Sequence, residues 1–149
     1  MKNNLKKWSS VLLLSVILFA CNSAKNDKKV SATKVDGKNR IEILDFYGDH
    51  RCTTCINIEK NTRFTLDAAF KDEIKNGILV FKTINFDDPK NDKIVTEYSA
   101  YGTSLFFNVI KDGKEEHIDL SDFAYQLGDD QEKYSAQLKQ KIKAELAKL

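Results

Sequence analysis

The sequence predicts an α/β domain built on a central mixed four-stranded sheet flanked by helices. Three observations carry that expectation. Short β-branched and aromatic runs alternate with helical segments through the first part of the domain. An Asp-Gly turn then joins two further strands as a hairpin. A cysteine pair, Cys52 and Cys55, stands where the first strand hands over to the first helix.

Arg40 to Tyr47 (RIEILDFY) is short, β-branched and aromatic, and reads as a buried strand. Thr53 to Lys75 contains no Pro or Gly, and Gly77 follows as a stop signal, so this stretch is expected to be helical. Its apolar positions at roughly helical spacing are Ile56, Phe64, Ala68, Phe70 and Ile74. The pattern is loose around Asn61-Thr62, where a bend or break is expected. Ile78 to Phe86 (ILVFKTINF) is the most strand-like run of the chain. Asp87 to Asp92 forms a turn into a second helix, with Ile94, Val95 and Tyr98 on one face and a stop near Gly102. Leu105 to Ile110 is a third strand. Lys111 to Lys114 (KDGK) is a hairpin turn, because Asp-Gly tolerates the positive φ that a tight turn needs, and Glu116 to Leu120 pairs back as a fourth strand. Asp129 to Lys148 is a closing helix with Tyr134, Leu138, Ile142 and Leu146 at i, i+4 spacing. There is no internal repeat.

The N-terminus reads as an export signal over residues 1–20. Lys2, Lys6 and Lys7 precede Val11 to Phe19, an apolar run broken only by Ser15. The run is short for a permanent membrane span, which wants about 20 apolar residues. Its exit, LFAC, resembles the lipobox of bacterial lipoproteins, which implies lipidation of Cys21. An ordinary signal followed by a free cysteine, or an uncleaved anchor, are the other readings. Residues 21–38 are polar and lysine-rich, with too little apolar surface to fold, and read as a tether. Residues 39–149 then hold one domain with one core, expected to be monomeric. Removing Met1 to Ala20, with its three lysines and no acids, takes the formal charge from +2 to −1. A near-neutral mature chain argues against nucleic-acid binding, which needs a basic face.

The chain has three cysteines, so lipid on Cys21 leaves one pair, in an export compartment that permits disulfides. A Cys-x-x-Cys at the first strand-to-helix junction is the thioredoxin-like arrangement. A helix N-terminus offers unpaired N–H groups and a partial positive charge, both of which stabilise a thiolate. Cys52 at the cap is therefore expected to attack, and Cys55, one turn in, to resolve the mixed disulfide. Arg51 beside Cys52 is expected to favour its thiolate further, and His50 to do the same or to protonate a leaving thiol. Asp45 either faces the core, with a raised pKa suited to taking the Cys55 proton, or faces solvent at an edge. Lys82 and Asp87 read as solvated.

Two simpler readings of the pair are weaker. A structural zinc site usually needs four ligands, and Cys52, Cys55, His50 and His117 are the candidates, with His117 far along the chain. A purely structural disulfide over so short a loop contributes little stability, because loop-closure entropy grows with loop length.

From Ile41 onward the chain resembles the thioredoxin superfamily. Within it, FYGDHRCTTC, IEKNT, VFKTINFDDPKN and YGTSLFFNVIKDGK resemble a bacterial family of nitrophenyl-compound nitroreductase subunits, associated with aromatic arsenicals. Thr53 and Thr54 replace the Gly-Pro of ordinary thioredoxins, and Arg51 their Trp. The single proline, Pro89, is not placed to be the usual cis-proline, whose position falls to Thr103-Ser104. A non-proline cis bond costs about 2.5–4 kcal/mol, so a trans bond is expected there. The reading is thus a lipid-anchored thiol–disulfide oxidoreductase of the bacterial envelope, outside the cytoplasm and without a cofactor. Its partner would be a redox protein or a disulfide substrate, and the electrons would serve a reductase of nitroaromatic or arsenical compounds. One alternative is a binding protein that holds a soft metal or metalloid on the same cysteines. Another is an accessory subunit that docks a larger reductase.

Overall fold

The computed structural model describes residues 38–149. The expected signal, Cys21 and the tether up to residue 37 lie outside them. The strands are β1 (Arg40–Tyr47), β2 (Leu79–Asn85), β3 (Ser104–Lys111) and β4 (Lys114–Asp119). The helices are α1 (Thr53–Ala69), α2 (Lys71–Lys75), α3 (Asp92–Tyr98), α4 (Ser121–Leu127) and α5 (Gln131–Leu146). The sheet order is β2-β1-β3-β4. β1 runs parallel to β2 and antiparallel to β3, and β3 and β4 form the hairpin. The sheet is therefore mixed and four-stranded, as expected.

β1 is an inner strand, and every residue from Ile41 to Phe46 is buried. Strand side chains alternate between faces. Ile41 and Ile43 enter a core with Ile58 and Leu66 of α1 and Tyr134, Leu138 and Ile142 of α5. Leu44 and Phe46 enter a second core on the other face, with Val95 and Tyr98 of α3 and Phe106 of β3. By the same alternation Asp45 points to the α1–α5 side. The edge reading of Asp45 is thereby excluded: its ladder neighbours are Thr83 and Leu105 on strands to either side.

Three local expectations are corrected. α1 runs unbroken through Asn61-Thr62 and ends at Phe70, whose φ of −138° leaves the helix and buries its ring. Asn61 and Thr62 do not disturb the helix because their side chains are satisfied in the interior. Asn61 Nδ2 donates to Gly128 O at 2.8 Å, and the Thr62 and Tyr134 hydroxyls lie 2.8 Å apart. The buried stripe of α1 is therefore Cys55, Ile58, Asn61, Thr62, Thr65 and Leu66, while Ile56 (49% exposed) and Phe64 (51%) face out. α3 ends at Tyr98 rather than near Gly102, because Ser99 takes a φ of 53° and turns the chain. Lastly, α4 was not expected. It opens where Asp119 Oδ1 accepts from Ser121 N at 2.8 Å, and at seven residues it is too short to show a period. The hairpin turn carries positive φ at Asp112 and Gly113, as an Asp-Gly turn requires. Among the described residues no helix is long and apolar enough to cross a membrane.

Candidate active site

Chain direction delivers the cysteines. β1 ends at Tyr47, a short loop follows, and Cys52 caps α1 in an extended conformation. The Cys55 N–H donates to Cys52 Sγ at 3.1 Å, and the Ile56 N–H donates to Cys52 O at 3.0 Å. Cys52 and Cys55 form a disulfide, with Cα atoms 5.1 Å apart. Cys52 is exposed and Cys55 is only 6% exposed. One sulfur is open to a partner, and the other sits behind it on the buried stripe of the helix.

Arg51 turns inward from the same loop. Its Nη1 lies 2.6 Å from Glu59 Oε2, and its Nη2 donates to Cys55 O at 3.1 Å. The guanidinium also lies 4.9 Å over the Tyr47 ring and 3.9 Å from Asp45 Oδ2. It is thus tied to Glu59 and to the backbone of the pair, rather than standing as a bare cation beside Cys52. Glu59 is further held by Arg63, whose Nη2 lies 2.8 Å from Oε1. Burial raises the Glu59 pKa, but the hydrogen bonds from Arg51 and Arg63 outweigh it and hold the carboxyl below its ordinary value.

Asp45 is fully buried, and neither of its carboxyl oxygens has a hydrogen-bond partner. Burial, followed by the charge of Glu59, pushes it up to about 7, against the pull of Arg51 and Arg63. A carboxyl in that condition exchanges its proton near neutral pH.

The remaining expected residues surround the pair unequally. Thr53 and His50 are exposed. Thr54 Oγ1 donates to Asp129 Oδ2 at 3.0 Å, and Asn57 Nδ2 donates to Asp129 Oδ1 at 3.0 Å. Ser104 pairs with Phe46 in the ladder, so Thr103-Ser104 lies at the end of the sheet from which the cysteine loop leaves. Ser104 Oγ donates to Gly102 O at 2.8 Å, and no described peptide bond is cis. Lys82 is exposed but pairs with Glu42 at 2.9 Å, and Asp87 Oδ2 accepts from Asp49 N at 2.8 Å. His117 does not join the cysteines. It stacks on Tyr98, ring centroids 4.0 Å apart, on the face opposite α1. There it groups with Glu97 and Glu115, their ligand atoms within 4.8 Å of one another.

Sequence reasoning missed Glu59, Gly128 and Asp129. The i, i+4 spacing of Glu59 and Arg63 was the available signal for the first. Nothing local marks Gly128. A Cβ there would lie 2.9 Å from Ala124 O and 2.9 Å from Thr54 Cγ2, so only glycine lets the α4–α5 connection sit against the start of α1. Gly128→Ala should destabilise the protein by about 1–3 kcal/mol, the usual cost of overpacking, read as a lower urea midpoint.

Sheet order, strand directions and a Cys-x-x-Cys disulfide at the β1–α1 junction make this a thioredoxin-like fold with a redox-capable cysteine pair. Among solved structures, the chain is similar to a thioredoxin of Fasciola hepatica, at 24% identity over 55% of this chain and 69% of that one, with a TM-score of 0.38. It is also similar to a structure described as a malarial protein, at 14% identity over 59% of this chain and 94% of that one, with a TM-score of 0.38. No protein-family model and no curated protein matches the chain.

Proposed function

We propose that this protein is a thiol–disulfide oxidoreductase of the bacterial envelope, anchored through lipid on Cys21, that exchanges electrons with a partner protein or disulfide substrate. In the finer reading, the partner feeds a reductase of nitroaromatic or arsenical compounds. The observation that carries the redox reading is the asymmetry of the pair. Cys52 is exposed at the helix cap with a backbone N–H aimed at its sulfur, and Cys55 is buried one turn behind it. The envelope location and the partner rest on the N-terminal motif and on the resemblance of FYGDHRCTTC and its neighbours.

The reduced protein reacts in two steps. The Cys52 thiolate, favoured by the Cys55 N–H and the helix N-terminus, attacks a disulfide sulfur of the substrate. A bond forms to Cys52, the substrate S–S bond breaks, and the first thiolate leaves and takes a proton, with exposed His50 as a nearby donor. Cys55 then gives its proton to the Asp45 carboxylate and attacks Cys52. The mixed disulfide breaks, the second thiolate leaves, and the Cys52–Cys55 disulfide remains. Two electrons have passed from dithiol to substrate. The reverse sequence oxidises a dithiol partner.

Redox titration of the full chain against glutathione should give a reversible two-electron couple between about −120 and −270 mV, the span of thioredoxin-fold enzymes. A pair that cannot be cycled in that window, or one that takes up a soft metal stoichiometrically and keeps it in excess thiol, would sink the reading.

A further inference from the structure

The guanidinium of Arg51 lies between two carboxyl groups in different environments. Glu59 is partly exposed, holds Nη1 at 2.6 Å and is shared with Arg63. Asp45 is fully buried, accepts no hydrogen bond, and has Nη2 only 3.9 Å from Oδ2, just beyond hydrogen-bond length. Arg51 Nε is itself buried without a partner. A movement of about 1 Å would close the Arg51–Asp45 hydrogen bond. In the arrangement seen the cation is bonded to Glu59 and leaves Asp45 without a hydrogen bond. Once Asp45 takes up negative charge, the nearest cation able to answer it is Arg51. Arg51 also donates to Cys55 O, so its position is coupled to the backbone of the resolving cysteine.

We propose that Arg51 is a counter-ion shared between Glu59 and Asp45, and that Glu59 acts as a positioning residue. By holding the guanidinium off the buried carboxyl, Glu59 sets the pH at which Asp45 exchanges its proton. The functional consequence, control of proton transfer from Cys55, rests on the oxidoreductase reading above. The device itself does not. The groups that face Asp45 are few. Arg51 comes from the loop, Glu59 and Arg63 from α1, and the Tyr134 hydroxyl from α5, where burial keeps it neutral. Thr83 and Leu105, on the flanking strands, carry no charge. Glu59 opposes ionisation of Asp45 in two ways: through its own charge and by occupying Arg51.

The two ways separate in a mutant cycle read by the carboxyl 13C shift of Asp45 in the oxidised full chain, assigned with Asp45→Asn. Glu59→Gln preserves shape and removes charge. It should lower the Asp45 midpoint by about one pH unit, a tenfold loss of proton affinity, at the lower end of what an opposite charge at about 4–6 Å does. Arg51→Met should raise the midpoint, with Arg51→Gln as substitute if the first variant does not fold. In the Arg51 background, Glu59→Gln should keep half or less of its effect, since no guanidinium remains to be released. An equal effect in both backgrounds would mean that Glu59 acts through space alone, and would overturn the proposal, as would an unmoved midpoint in Glu59→Gln. If the wild-type pair shows no reversible couple, the oxidoreductase reading fails, yet the carboxyl titration still decides this one.

Discussion

Cys55→Ser in the full chain should accumulate a stable covalent complex with the partner, joined through Cys52 and dissolved by thiol reductants. Cys52→Ser should form none, and both variants should lose turnover completely. The difference follows from exposure. Cys52 is exposed while Cys55 is buried, and the Cys55 N–H that stabilises the Cys52 sulfur comes from the backbone, so replacing the Cys55 side chain leaves that donor in place. A resolving thiol is needed only after the mixed disulfide exists. Non-reducing gels of cells producing each variant, followed by mass spectrometry of the linked peptide, read the result. Equal trapping by both variants, or a link through residue 55, would contradict the assignment of roles.

Asp45→Asn should stabilise the oxidised protein by roughly 2–4 kcal/mol at pH 8 and by almost nothing at pH 4. The buried carboxyl keeps its proton up to about 7, while in the unfolded chain it ionises near the ordinary value of 3.8. Between those values the folded state binds the extra proton, so stability falls as pH rises through that window. The full gap is about three pH units, each worth about 1.4 kcal/mol. Above it the folded protein carries an ionised carboxylate buried away from water. Asparagine removes that charge and with it the pH dependence. The same substitution should slow resolution of the mixed disulfide, since Cys55 loses its proton acceptor. Urea denaturation at the two pH values, run beside a thiol-exchange assay, separates the gain in stability from the loss of rate. A variant that is less stable than wild type at both pH values would show that Asp45 is held by interactions other than those seen.

Much of the fold was legible because it is written in short-range patterns. β1 is a β-branched and aromatic run, the hairpin is an Asp-Gly turn, and α5 repeats its apolar residues at i, i+4. The thiol pair and its polarity were equally local, since a cap position and a residue one turn later define which sulfur is outside. Helix α1 misled because its interior face is partly polar. Asn61, Thr62 and Thr65 are buried and bonded while Ile56 and Phe64 face out, so an apolar period points to the wrong side. α4 was too short to register, and Gly128 acquires meaning only where α4 meets α1.

Residue order alone therefore established the α/β class, the capped Cys52-x-x-Cys55 and a carboxyl at position 45, because each depends on chemistry within a turn or a strand of itself. Folding decided the condition of that carboxyl. The placement of β1 between two other strands dries Asp45, and the packing of the loop against α1 hands Arg51 to Glu59 instead. Desolvation and the sharing of one cation between two anions are properties of distance in space, and no spacing along a chain encodes them.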